Sequence, residues 1–279
     1  MTLRLPARLV GHVLLVLWTA VALLPFGLIV LLALRDNTGI YADALGFGGS
    51  YHPENFNTAW DGPIGSAGMA VFMRNSVYAF LAALVVNLSL GATGAYFVTR
   101  LSRRVASWYL GLFLVGTVVP FVLLLIPYYR AFNSLGLLNS PWALGGLYGV
   151  LALPTTVLLL HAYFVDFPKE LVEAANIDGF SDFSAYLRIV LPLSKGALAA
   201  VSVLLAVWVW SETQLAVVLL QDAAGKTAAV GVLGFQGPYT AQLGALFAGL
   251  TIAAIPVAVF YLVFHRFVTK GIALGGVFK

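Results

Sequence analysis

Runs of apolar residues without a charge alternate with short polar segments along the whole chain, and their lengths predict what they form. A helix that crosses a bilayer needs about 20 predominantly apolar residues. Residues 9–34 lie uncharged between Arg8 and Arg35, 75–99 between Arg74 and Arg100, and 105–129 between Arg104 and Arg130. Residues 131–165 form a longer gap, whose helix is expected to begin near Trp142. Residues 196–220 are interrupted only by Glu212, and 227–265 form the last run, with a helix expected from near Leu243. The pattern predicts an all-α, polytopic membrane protein with six transmembrane helices. The first run exceeds the roughly 7–15-residue core of a signal peptide, and no small-residue cleavage site follows it, so it reads as a retained span.

Composition narrows the class. Hydrophobic residues make up 61% of the 279 positions and charged residues 9%, against roughly 25% charged in a soluble chain; mean hydropathy is +0.96. Such a chain cannot clothe itself in charge, which excludes a soluble enzyme or a free nucleic-acid binder. Without cysteine there are no disulfides, thiolate metal sites or cysteine nucleophiles. The net charge of +4 then reads as a topology signal. With the N-terminus inside, inner segments hold 11 of the 15 Lys and Arg residues, and Arg35, Arg74, Arg130 and Lys226 lie outside. Both termini are therefore expected in the cytoplasm of a cell whose plasma membrane the chain crosses several times. The basic charge needs no nucleic acid.

The organisation expected is a first helix and outer loop over 1–71, a five-helix transmembrane domain over 72–268, and a cytoplasmic tail over 269–279, with no soluble domain at either end. The outer loop, about 35–71, is rich in Gly, Asn and aromatics (Tyr41, Phe47, Tyr51, Phe56, Trp60) and too short for a large external domain. The inner connection 166–195 is the informative one, with five of the 11 acidic residues. Pro168 suits a first helical turn, Asp166 can cap, Glu170 and Glu173 favour the positive end of the helix dipole, and Gly179 is placed as a stop. Ser181 can cap a second helix running to Leu191-Pro192. Charge beside apolar surface, fenced by Gly and Pro, fits a docking knob on the inner face; an amphipathic connector at the lipid surface fits equally.

Glu173-Ala174-Ala175, then Gly179, Ile189 and Leu191-Pro192, resembles the EAA loop of permease subunits of binding-protein-dependent ABC importers, with every spaced position of the core pattern met. Phe72-Met-Arg-Asn-Ser76, Gly136-Leu-Leu-Asn139 and Pro168-Lys-Glu-Leu171 are also similar to that family. The tail, Arg266-Phe-Val-Thr-Lys-Gly271 through Gly275-Gly-Val-Phe-Lys279, is similar to that of MalG-type carbohydrate permeases. Phe180 departs from the usual Ala, and the final Phe-Lys from Lys-Gly. The resemblance implies the type I importer permease fold, with the Glu173 helix coupling to a cytoplasmic ATPase. Ala174 and Ala175 would allow close approach, Gly179 would turn the chain, Glu173 and Asp178 would contact the ATPase, and Lys270 and Gly271 would reach toward it. The implied partners are a second, MalF-like permease subunit, two ATPase subunits carrying ATP and magnesium, an extracytoplasmic solute-binding protein and a carbohydrate substrate. No cofactor is expected in this chain, which works by alternating access and is not itself an enzyme.

Gly225-Lys226-Thr227 looks like the end of a phosphate-binding loop, but Leu220 stands where its first glycine is required, and the segment falls on the outer side. The motor must be borrowed. Glu212 is costly in a bilayer and should face protein or water. Trp210, Ser211, Glu212 and Gln214 mix an aromatic face with hydrogen-bonding groups that suit sugar hydroxyls, so they are candidates for the translocation pathway; Glu212 as a purely structural link is the alternative. Asn87 and Thr117 read as helix–helix hydrogen bonds, and Pro120 and Pro127 as bends in the third span. The four histidines are scattered without metal-ligand spacing. A self-sufficient secondary transporter or channel remains the rival, but it calls for several intramembrane ionisable groups.

Overall fold

The computed structural model describes residues 4–43, 50–63, 66–235 and 242–274. In chain order the helices are α1 (Arg4–Ala33), α2 (Asn37–Ala42), α3 (Glu54–Asp61), α4 (Met69–Val98), α5 (Arg103–Val118), α6 (Leu125–Ser134), α7 (Pro141–Leu151), α8 (Leu153–Val165), α9 (Lys169–Ile177), α10 (Asp182–Ala185), α11 (Leu191–Leu193), α12 (Lys195–Ser211), α13 (Gln214–Leu219), α14 (Ala228–Gly231) and α15 (Leu243–Leu274). Among the described residues the only extended pairing is an isolated bridge, Arg35 to Tyr51.

Three stretches are long and apolar enough to cross a bilayer unbroken: Leu9–Ala33, Met69–Val98 and Leu243–Phe264. Three more qualify only as bent pairs: Arg103–Val118 with Phe121–Ser134 at 82°, Pro141–Leu151 with Leu153–Val165 at 48°, and Asp182–Leu193 with Lys195–Ser211 at 75°. Six spans result when each pair counts once. The bends have local causes. Val119 and Pro120 are extended, and Pro120 has no N–H to carry a helix onward. Pro154 does the same in the first turn of α8. At the third bend, buried Ser194 donates from both its backbone N (3.0 Å) and its Oγ (2.7 Å) to the Val190 carbonyl. The apolar run 196–220 is not one helix: α12 stops at Ser211, and Glu212 is extended, with ψ 125°. Thr117 bonds within its own helix, to Leu114 O at 2.6 Å, and not across to a neighbour.

The chain forms two compact units. In the first, Met1–Ala70 with Gly231–Ile255, the buried Arg35 guanidinium donates to the carbonyls of Asp43 (2.5 Å) and Gly39 (3.0 Å). Asn55 donates to the carbonyls of Ala33 and Arg35 at 3.0 and 2.9 Å, fixing the end of α1 to α3.

The second unit, Val71–Val230 with Pro256–Lys279, contains two apolar clusters. One joins α4, α8, α9 and α12 through Tyr96, Leu160, Phe164, Val172, Tyr186 and Val201. The other gathers Ala83, Leu144, Tyr148, Leu205, Val209, Leu215 and Leu219. Between them, Asn87 donates to Gly149 O at 3.0 Å and accepts from Thr156 Oγ1 at 2.8 Å, tying α4 to α7 and α8.

Gly145 is where α7 lies directly on α4. A Cβ there would sit 2.2 Å from the Ala79 carbonyl oxygen, whereas one at neighbouring Gly146 would meet nothing within 4 Å. Gly145→Val should therefore destabilise the protein by about 1–3 kcal/mol through overpacking, and Gly146→Val should not. Thermal melting of the two variants in detergent checks this; equal midpoints would disprove the close approach.

Candidate functional site

Two regions collect the candidate residues, one between α8 and α12 and one just past α12. The first begins at α9. Pro168 stands immediately before this helix and makes no side-chain cap bond. Asp166 ends α8, so it does not cap α9 as its position suggests. The far end of α9 closes as the turn chemistry predicts. Gly179 has φ +87°, a region that suits a residue without Cβ. Phe180 N donates back to Ala175 O at 3.0 Å and Asp178 N to Ala174 O at 3.0 Å, satisfying carbonyls that the helix end would orphan. Ser181 then caps α10, its Oγ accepting from Ser184 N at 3.3 Å.

One face of α9 is buried and one is bare. Val172 and Ala175 enter the apolar cluster. Glu170, Glu173, Ala174, Ile177, Asp178 and Gly179 are exposed, and Ile177 retains 86% of its surface. Positions 170, 173, 174 and 177 make one helical stripe. Beneath it the support is aromatic. The rings of Tyr96 and Tyr186 stack at 4.9 Å, and Phe164 meets Tyr96 edge-on at 5.7 Å. Tyr186 Oη and Thr93 Oγ1 are 3.2 Å apart. Tyr186 opens a π-helical turn, Tyr186–Val190, with Ile189 and Leu191 half-buried and Pro192 exposed.

The second region turns on Glu212, which is buried. Its Oε1 accepts from Leu215 N at 2.9 Å and its Oε2 from Ala216 N at 3.3 Å, so its side chain caps α13. Tyr148 Oη donates to the same Oε2, linking α7 to the break. Trp208 packs edge-on to Tyr148 at 5.3 Å. Ser211 and Gln214 are exposed on either side of the break, while Trp210 is half-buried and lines a small apolar pocket with Phe80, Pro256 and Phe260. Tyr148 lies 64 residues from Glu212 and carries no local signal of the pairing.

A third arrangement joins residues far apart in the chain. Asn139, with φ +63°, accepts through Oδ1 from the backbone N–H groups of Gln221 (2.6 Å) and Asp222 (2.9 Å). Asn75 donates to the carbonyls of Ala224 (2.8 Å) and Lys226 (3.0 Å), and Ser76 Oγ accepts from Ala228 N at 2.8 Å. Residues 221–228 are thus held to α4 and to the turn before α7. Gly225 is pressed so close to Asn139 O that a Cβ would stand 2.9 Å away. The Gly225-Lys226-Thr227 run is a clamped turn, its backbone already engaged. Asn75, Ser76 and Asn139 all lie in short motifs legible in the sequence; their common target was not.

The α15 backbone remains helical through Lys270 and Gly271; the Lys270 side chain lies outside the described residues, as does all of 275–279.

Comparison with known proteins agrees with this architecture. The family model described as binding-protein-dependent transport system inner membrane component matches residues 87–273. The probable ABC transporter permease protein YurM of Bacillus subtilis is 32% identical over 89% of this chain and 81% of its own length. The diacetylchitobiose uptake system permease protein NgcG of Streptomyces coelicolor is 28% identical over 95% of this chain and 87% of its own. In a crystal structure of a bacterial ABC transporter involved in the import of the acidic polysaccharide alginate, one chain has the same fold. Its TM-score is 0.75 at 21% identity, over 93% of this chain and 95% of that one.

Glu212→Ala removes a helix cap, worth about 1 kcal/mol, and strands a buried tyrosine hydroxyl, worth about 1–3 kcal/mol. The variant should melt well below wild type, with Tyr148→Phe intermediate. An unchanged melting midpoint for Glu212→Ala would show that the capping carboxyl contributes nothing to the fold.

Proposed function

Because this chain belongs to the family of binding-protein-dependent transport system inner membrane components, we propose that it forms half of a carbohydrate pathway. A second permease subunit supplies the other half. Two cytoplasmic ATPase subunits, carrying ATP and magnesium, drive the cycle, and an extracytoplasmic solute-binding protein delivers the substrate. The observation that carries the reading is the bare stripe of α9 over its aromatic support. Glu170 and Glu173 offer charge, Ala174 offers close approach, and Ile177 offers an apolar contact that water disfavours. An ATPase groove that closes on this stripe moves α9 as a rigid body. Val172, Ala175 and the stacked Tyr96 and Tyr186 pass that displacement to α4, α8 and α12. Alternating access follows when the spans tilt. Lys270 and Gly271 extend toward the same ATPases.

Lys and Arg counts support an inner location for α9 and for both termini. The relative NgcG, a diacetylchitobiose permease by name, supports a carbohydrate cargo. Within the span, Glu212 is engaged by Leu215, Ala216 and Tyr148. The exposed Ser211 and Gln214 beside it, with Trp210, are then the groups presented to the pathway, while Glu212 holds the break open.

Reconstituted vesicles test the whole reading: labelled sugar should enter only when the second permease subunit, the partner ATPases, ATP and the binding protein are all present. Uptake by this chain alone would establish the secondary-transporter alternative. Glu173→Lys should leave membrane insertion intact yet reduce ATPase recovery in pull-down by tenfold or more; full recovery with normal uptake would remove Glu173 from the interface. Since the chain lacks cysteine, Ile177→Cys gives a single thiol. It should react with an impermeant maleimide only from the cytoplasmic face, and labelling from outside would reverse the topology.

A further inference from the structure

We infer that the cleft where the ends of α4 and α8 meet the start of α9 binds the headgroup of an anionic phospholipid. Its volume is about 120 Å³, and its lining includes Tyr96, Thr99, Arg100, Phe164, Phe167 and Lys169. Both charged lining residues are cations, and both are exposed. Among the described residues no acidic side chain pairs with either. Arg100 Nη2 donates to Tyr96 Oη at 2.7 Å, and its guanidinium stands over the Tyr96 ring at 5.1 Å. One of the five guanidinium donors is thereby used to orient the group, and the others remain for a ligand.

The backbone adds to this. The nine-residue helix α9 begins at Lys169, a lining residue of the cleft, and Pro168 before it makes no side-chain cap bond. Uncapped N–H groups and the positive end of the dipole favour an anion. Asp166 and Glu170, the carboxyl groups adjacent in sequence, are not part of the lining.

One side of the wall is apolar, with Phe164, Phe167 and Val165, the last of which keeps 51% of its surface exposed. A cationic rim above an apolar wall at the end of two spans matches a phosphate that carries acyl chains better than a free ion. Basic pockets between spans on the cytoplasmic side hold acidic headgroups for this reason. A choline headgroup would bring its own cation against Arg100 and Lys169. The inference rests on the reading that α9 lies at the inner membrane surface, but not on its coupling to an ATPase.

The full chain, purified with the subunits that accompany it, is titrated in detergent with phosphatidylglycerol, with phosphatidylcholine of the same chains and with inorganic phosphate. Melting midpoint and lipid retention in native mass spectrometry are read together. Phosphatidylglycerol should raise the midpoint and be retained, and the other two should not. Loss of each cation should weaken binding about fivefold, so Lys169→Gln should bind about fivefold and Arg100→Gln with Lys169→Gln about 25-fold more weakly. Arg130→Gln, on the opposite side by the charge count, should bind as wild type. An equal response to phosphatidylcholine, a response to inorganic phosphate as strong as to phosphatidylglycerol, or undiminished binding in the double variant overturns the site. Glu173→Lys should keep the lipid response, so loss of ATPase coupling and loss of lipid binding are read apart.

Discussion

No backbone N–H or C=O can be left bare in hydrocarbon, and a helix is the cheapest way to satisfy them all. This chain interrupts its helices repeatedly; at some breaks proline removes a donor, and at others a polar side chain engages the freed backbone. Glu212 receives the N–H groups of Leu215 and Ala216 where α13 starts. Ser194 returns two hydrogen bonds to Val190 where α12 starts. Asn139, Asn75 and Ser76 engage the backbone of residues 221–228. Other polar residues of the apolar segments bond within their own helix, as Thr117, Ser202 and Thr251 do, or between helices, as Asn87 and Thr156 do.

The same constraint explains what was legible in the sequence. Length and apolarity alone marked the spans, because bilayer thickness fixes both, and the observed starts at Pro141 and Leu243 fall within a residue of the positions expected. Pro120 announced its bend through missing N–H chemistry. Gly179 and Ser181 announced the end of α9 and the start of α10 because turns are decided by neighbours in the chain. The break at Glu212 was hidden: residues 196–220 are apolar on both sides, and a window of hydropathy does not register that a Ser-Glu-Thr step can cap. Its partner Tyr148 was hidden more deeply, since a contact across 64 residues leaves no local trace. Asp166 was misplaced because Pro168 separates it from the helix it would have capped.

The candidate site was legible to different depths. The spacing of Glu173, Gly179, Ile189 and Pro192 singled out the loop, but could not say which side chains are bare. Packing decides that. Val172 and Ala175 turn inward and Glu173 and Ile177 outward because the aromatic cluster lies on one side of α9 only. The π-helical turn at Tyr186–Val190 is equally a product of packing, with Tyr186 drawn into the stack on Tyr96. No propensity in Tyr-Leu-Arg-Ile-Val foretells it.

The helix α12 joins the two regions mechanically. Its 17 residues make a rod about 25 Å long. Ala197, Leu198 and Val201 near its start pack in the cluster that supports α9, and its last residue, Ser211, touches the Glu212 break. A displacement of α9 in the proposed cycle therefore reaches the break with little loss, since a helix bends less readily than a turn. What happens there depends on Glu212. Two bonds to α13 and one to Tyr148 tie the far side of the break to α7, and Leu205 and Val209 of α12 pack in the same apolar cluster. The extended Glu212 is the joint between α12 and α13. The exposed Ser211 and Gln214 sit on opposite sides of that joint, so their separation is the quantity the cycle would alter most directly.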